Sequence, residues 1–139
     1  MIEETSAGVV LFRRDNGQFL FLLLHYPSGH WDFVKGKMEN GETPKETAIR
    51  ETREETGITD VEFLEGFEEW IRYNFQFEGQ LVDKKVVFFL GETHTEKVEI
   101  SHEHLNFTWM NYVTAMEKTT FDNARTVLSK AYSLLTKTL

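Results

Sequence analysis

The segment from Gly36 to Ile58, GKMENGETPKETAIRETREETGI, constrains this chain more than any other, because both ends of a helix are written into it. Thr43 suits the N-cap, Pro44 the first helical position, where a missing N–H costs nothing, and Glu46 the third, which completes a capping box. Gly57 falls where a left-handed residue closes a helix, so the helix is predicted over Pro44 to Thr56. Gly36 and Gly41 leave the preceding residues free to curl as a loop. Glu51, Glu54 and Glu55 then share one face, since residues three and four apart on a helix are neighbours.

Three carboxylates pointing one way suit a hard divalent cation. Mg²⁺ takes oxygen ligands and is commonly held by one or two carboxylates together with substrate phosphates. The alternative is a solvated acidic surface, which is the usual reading of such charge runs. Energy does not reject it, because like-charge pairs at this spacing cost only about 0.2–0.5 kcal/mol each. The register of the surrounding residues does.

That register resembles the Nudix box: Gly, five residues, Glu, seven residues, Arg-Glu, an apolar residue, any residue, Glu-Glu, any residue, Gly and an apolar residue. Gly36, Glu42, Arg50, Glu51, Glu54, Glu55, Gly57 and Ile58 match, and Thr52 departs where the pattern has a bulky aliphatic residue. The resemblance implies a metal set of Glu51, Glu54 and Glu55 with the Gly36 carbonyl, and structural roles for Glu42, Arg50 and Gly57. Mg²⁺ or Mn²⁺ is the implied cofactor.

Outside the box, β-rich runs at Ala7–Arg14 and Gln18–Tyr26 flank Asp15-Asn16-Gly17, a hairpin signal. The second run is nearly all apolar, as for a strand covered on both faces. Strands are also predicted at Val61–Phe67, Glu69–Phe77, Val86–Thr93 and Phe107–Tyr112, with a turn at Gly79. Asp122–Leu135 reads as an amphipathic helix with Asp122 as N-cap and Ala124, Val127, Leu128, Ala131, Leu134 and Leu135 on one stripe. Strands interrupted by one helix and closed by another predict an α/β (α+β) fold, a mixed sheet between helices. This matches the Nudix α/β/α sandwich.

With 139 residues, the chain is expected to form a single domain over residues 1–139. A net charge of −8 argues against broad nucleic-acid or anionic-membrane binding. Zero Cys excludes disulfides and thiol chemistry. The apolar run Phe19–Leu24 is too short to span a bilayer and no signal peptide is visible, so a soluble, cytoplasmic protein is expected, as a monomer or weak dimer.

Ser101-His102-Glu103-His104 is weak alone, since adjacent residues diverge on a strand and a solvated loop is the plain alternative. Beside the box it resembles the SHEH segment of one Nudix branch, the asymmetrical diadenosine tetraphosphate hydrolases. Gly8, His30-Trp31, Lys35-Gly36, Glu65-Gly66-Phe67, Tyr73 and Lys84 agree with that branch in order. Val34 departs, because related proteins have Pro before Lys-Gly. The resemblance makes Glu103 a further metal ligand or the base. It places His30 and Lys84 on the phosphate chain, adds charge from Lys35 and Lys37, stacks Tyr73 on an adenine and gives Phe121 the opposite face.

The implied reaction is hydrolysis of diadenosine tetraphosphate to ATP and AMP. Two alternatives stand beside it: another Nudix substrate (an oxidised dNTP, ADP-ribose, a capped RNA end or an inositol pyrophosphate), and a module that binds nucleotide without cleaving it. Tyr73, Trp31 and Phe121 also read as core or rim aromatics, and Lys84 and Lys85 as edge-strand charges.

Overall fold

A computed structural model describes residues 1–137. Its centre is β1 (Ile2–Asp15), whose apolar stretch pairs on both edges. On one side it runs parallel to β6 (Gln80–Glu92), in register from Ile2↔Val82 to Phe12↔Glu92. On the other side its C-terminal half meets β2 (Gln18–His25) through a tight turn at Asn16 and Gly17, both at positive φ. Asn-Gly tolerates that left-handed pair, as a two-residue hairpin requires.

The N-terminal half of β1 pairs instead with β4 (Val34–Lys37), in the register Ser6↔Lys37 to Val9↔Val34. Gly8 allows this approach, because a Cβ there would lie 2.1 Å from the Val34 carbonyl oxygen. The short β3 (Trp31–Asp32) pairs with the end of β2, whose other edge takes β7 (Asn106–Met110). β5 (Glu62–Phe77) lies antiparallel to β6 and completes a seven-stranded mixed sheet.

Helix α1 (Pro44–Thr56) has the expected bounds and caps, with Thr43 accepting from the Glu46 N–H, Glu46 accepting from the Thr43 N–H, and Gly57 at φ 78°. It covers one face of the sheet, where Ala48 and Ile58 join Ala7, Val9, Leu11, Leu22, Leu24 and Val34. Thr52 sits fully buried on that face without loss of docking, because its hydroxyl donates to the Ala48 carbonyl at 2.7 Å and leaves the methyl to pack. Helices α2 (Tyr112–Lys118) and α3 (Asp122–Lys137) cover the opposite face, with Ala115, Ala124, Val127, Leu128, Ala131 and Leu135 against Phe12, Phe21 and Phe88.

Several predicted boundaries are corrected. The two strands expected at Val61–Phe67 and Glu69–Phe77 are one strand with an irregularity between Phe63 and Glu68, where Gly66 takes φ 85°. Pairing alone sustains the polar starts of β1 and β6, which lie outside the predicted runs. Gly36 lies in strand β4 rather than in a free loop. Tyr112 opens α2 beneath an Asn111 N-cap instead of ending a strand. Asp122 is the first residue of α3 rather than its cap. Lys84 lies on an interior strand, so the edge-charge reading fails for it. Among the described residues no helix is long and apolar enough to cross a membrane.

Candidate active site

The carboxylates of α1 occupy graded environments. The Glu55 side chain is 7% exposed, Glu51 14% and Glu54 51%. Glu51 lies directly over Gly36 of β4: a Cβ on that residue would fall 2.0 Å from the Glu51 carboxyl carbon. The first glycine of the box is therefore a clearance for a carboxylate.

Arg50 gathers the acidic groups around it. Its Nε donates to Glu42 Oε2 at 2.6 Å, and its terminal nitrogens donate to Glu42 Oε1, Glu51 Oε1, Glu54 Oε2 and the Lys37 carbonyl. Such a planar, forked donor suits several oxygens at once. Its hydrogen bond, with those from the Glu39 N–H and the Thr47 hydroxyl, holds the Glu42 carboxyl down at about 2. Glu42 thus ties the loop before α1 to the helix, while the Arg50 charge offsets Glu51 and Glu54.

Glu55 is the electrostatic outlier. Burial, then the charges of Glu51, Glu103 and Glu54, push its carboxyl up to about 9. Burial likewise raises Glu51, outweighing the Arg50 hydrogen bond. Glu55 Oε2 is buried with no hydrogen-bond partner among the described residues. A buried carboxylate oxygen without a donor is costly unless a cation faces it. The hard oxygen donors and the orphaned atom together fit a divalent ion.

The segment after β6 docks onto this corner. The Ser101 N–H donates to the Glu55 carbonyl at 3.2 Å, and His104 lies buried with Nε2 3.6 Å from Glu55 Oε1. That distance is too long for a hydrogen bond. Burial lowers the His104 imidazole, against the pull of Glu103. The His104 ring meets Tyr26 edge-on at 4.7 Å, and the Tyr26 hydroxyl donates to the Phe33 carbonyl at 2.6 Å. Glu103 itself is exposed, and its charge acts on both Glu51 and Glu55.

Cationic groups collect on the neighbouring strands. Lys35 Nζ lies 3.1 Å from Asp32. Burial pulls the Lys35 ammonium down, but Asp32, Tyr73 and Glu55 outweigh it and hold it above its ordinary value. Lys84 is nearly buried, and desolvation lowers its ammonium despite the Glu4 carboxylate 3.3 Å away. Tyr73 stands opposite Lys84 in the β5–β6 register. His30 accepts or donates at Nδ1 with the Ser28 hydroxyl, stacks on Tyr26 at 4.7 Å and leans on Phe121 at 5.1 Å. Phe121 is half exposed.

The structure thus brings Glu51, Glu54, Glu55 and Gly36 to one corner with Arg50 and the Glu103 segment. Tyr73 and Lys35 lie within electrostatic reach of each other, as do Lys35 and Lys84. His30 lies within reach of the Asp32 and Lys35 charges and also contacts the Phe121 ring. Among the described residues no three His, Asp or Glu side chains already close on one point as a metal cage. Arg50 hydrogen-bonds Glu51 and Glu54, and the charges of both act on Glu55. The ring of Trp31 is engaged by His25 on one side, stacked at 4.4 Å, and by the Lys118 ammonium, also at 4.4 Å. Two hollows of about 310 and 410 Å³ are lined by Trp70, Ile71 and Arg72 of β5, and neither is lined by a box carboxylate.

Sequence reasoning missed His104, Ser28, Asp32 and Glu4. His104 was masked by its polar neighbours His102 and Glu103, and the Leu105 after it is itself exposed, so nothing local signalled its burial. Glu4 carried no signal until β1 was known to begin at Ile2.

The fold and this corner define a class. The NUDIX domain model matches residues 3–131, and the chain belongs to that family and is a Nudix hydrolase. Hydrolases of this family generally use divalent metal ions. The chain is 34% identical over 145 residues to the mouse (Mus musculus) asymmetrical bis(5'-nucleosyl)-tetraphosphatase, covering 96% of each chain. It is 30% identical to a C. elegans Ap4A hydrolase solved as a binary complex, with a TM-score of 0.82 over 96% of this chain and 98% of that one. It is also 30% identical over 134 residues to the dihydroneopterin triphosphate diphosphatase of Haemophilus influenzae, covering 90% of this chain and 85% of the relative.

Proposed function

We propose that this protein hydrolyses a phosphoanhydride bond in dinucleoside polyphosphates, with diadenosine tetraphosphate cleaved by water to ATP and AMP. What carries the metal part of this reading is the buried, donorless Glu55 oxygen among like charges. Support for the substrate comes from relatives of that activity matched along nearly the whole chain, together with the Lys35, Lys84, Tyr73 and His30 surroundings.

In this reading Glu51, Glu54, Glu55, Glu103 and the Gly36 carbonyl hold Mg²⁺ or Mn²⁺. Bound there, a divalent ion supplies Lewis acidity toward the phosphoryl oxygens and toward the attacking water. Arg50 orients Glu51 and Glu54 through its hydrogen bonds to both carboxylates. A glutamate, Glu103 or one of the box, takes the proton of the attacking water. The water oxygen bonds to one phosphorus as that phosphorus loses its bridging oxygen to the departing nucleotide.

Lys84, Lys35 and His30 bind the phosphate chain and offset charge that builds on the leaving oxygens. With His30 Nδ1 engaged by Ser28, Nε2 is its atom for a phosphate oxygen. Tyr73 stacks on one adenine, and Phe121, half exposed beside His30, packs against its other face. Trp31, with His25 and Lys118 on its two sides, is left out of the base site. The same reading makes this a cytoplasmic, single-domain enzyme with a small nucleotide as its partner.

The test is incubation of the purified protein with diadenosine tetraphosphate, Mg²⁺ and ¹⁸O-water. Label in AMP or ATP identifies the activity and the phosphorus attacked, while tight nucleotide binding without turnover supports a binding module instead. A pterin triphosphate belongs in the same panel because of the Haemophilus relative, and faster turnover of it would reassign the substrate.

A further inference from the structure

Glu4 and Lys84 are direct neighbours across the parallel β1–β6 pair, and Lys37 projects from β4 on the opposite edge of β1. One carboxylate spans both ammonium groups: Glu4 Oε1 lies 3.0 Å from Lys37 Nζ, and Oε2 lies 3.3 Å from Lys84 Nζ. The Glu4 side chain is 22% exposed and that of Lys84 only 11%, so solvent screens the Glu4–Lys84 contact less than a surface pair, while Lys37 stays 69% exposed. The hydrogen bond from Lys37 and the charge of Lys84 hold the Glu4 carboxyl below its ordinary value, against its own desolvation. Two oxygens of a charged group, shared between two ammoniums from different strands, is also how a phosphate would sit there.

We infer that Glu4 is a specificity-determining residue whose carboxylate occupies a phosphate position on Lys37 and Lys84 and must be displaced by the ligand. The inference rests on the reading of Lys84 as a phosphate contact. Five charged groups meet here: Lys35, Lys37 and Lys84 against Asp32 and Glu4. Glu4 cancels much of what the lysines offer, so an anion gains from this surface only if it brings enough charge to compete for both ammoniums. A short or singly charged phosphate competes poorly, and a chain of several phosphates competes well. Because ionic attraction scales with ligand charge, loss of Glu4 benefits the longer chain most.

The adjacent Glu3 supplies the control. Successive side chains on a strand point to opposite faces, and the Glu3 charge acts on Arg72 rather than on these lysines. E3Q and E4Q remove the same net charge from the protein, but only E4Q frees Lys37 and Lys84. Isothermal titration calorimetry of the metal-free full chain with inorganic orthophosphate and inorganic triphosphate separates the two. Glu4→Gln is expected to tighten triphosphate binding about tenfold, equivalent to about 1.4 kcal/mol, with little change for orthophosphate and little change for triphosphate in E3Q. E4A gives the same readout if circular dichroism finds E4Q unfolded.

No gain in E4Q or E4A, or an equal gain in E3Q, overturns the inference. Failure of every protein to bind triphosphate overturns it together with the phosphate role of Lys84. Hydrolysis of diadenosine tetraphosphate by the wild type is measured in parallel. Turnover without an E4Q gain removes only the role of Glu4, whereas an E4Q gain without turnover removes only the proposed substrate.

Discussion

Gly36→Ala separates stability from activity in a way the geometry makes quantitative. The backbone tolerates alanine there, since Gly36 lies in a strand and is not at positive φ. The added Cβ, however, would stand 2.0, 2.3 and 2.4 Å from the carboxyl carbon and two oxygens of Glu51. Ordinary contact between such atoms begins near 3.5 Å, so the Glu51 carboxylate must retreat by roughly 1.5 Å. The obstacle is the far end of a flexible side chain, so the fold gives way easily. Its cost is the 2.8 Å contact with Arg50 Nη1, worth at most about 1 kcal/mol. A misplacement near 1 Å in a reacting array costs about 100-fold in rate. G36A is therefore expected to melt within a few degrees of wild type while kcat/KM for diadenosine tetraphosphate falls about 100-fold and more Mn²⁺ is needed for half-activation. A G36A protein with kcat/KM within about threefold of wild type and unchanged Mn²⁺ dependence refutes the reasoning.

Other substitutions probe separate links. Glu103→Gln keeps size and exposure but removes the charge felt by Glu51 and Glu55, and a steady-state assay is expected to show at least about a tenfold fall in kcat, with retained turnover removing it as base. The Glu42 carboxyl, held at about 2 by Arg50, has a folded pKa below its unfolded one, so its stabilisation is complete above about pH 4.5 and is lost as pH falls through about 2. Melting curves across that range are expected to lose this component in Glu42→Gln. Thr52→Val keeps the buried shape and removes a hydroxyl that donates only to the Ala48 carbonyl, so denaturation should shift by no more than about 1 kcal/mol, and a larger loss would show that the hydroxyl holds the helix in place.

What the sequence revealed divides along physical lines. Helix α1 was legible to the residue because its signals are local: Thr43, Pro44 and Glu46 cap one end and Gly57 the other. The Asn16-Gly17 hairpin was legible for the same reason. Features set by distant partners were not. Nothing in VKGK announces β4, because Gly36 and its lysines lack strand propensity and the strand exists through pairing with β1 and clearance for Glu51. The polar start of β6, Gln80 to Lys85, is sustained by β1 and β5 on its two sides. The box carboxylates were readable as a set, but their inequality was not: Glu55 is buried with its Oε2 unpartnered while Glu54 is half exposed, a difference created by the sheet beneath and the Ser101–His104 segment above. Thr52, which departs from the family pattern, docks by returning its hydroxyl to its own helix, a solution visible only once the helix is built.

Anomalous diffraction from a crystal soaked in Mn²⁺ with a non-hydrolysable dinucleoside polyphosphate goes straight to the acidic corner. The expected result is a manganese peak within bonding distance of Glu55 Oε2, shared with Glu51 or Glu54 and facing a phosphate oxygen. Density for the nucleotide with no manganese beside any of these carboxylates would contradict the account.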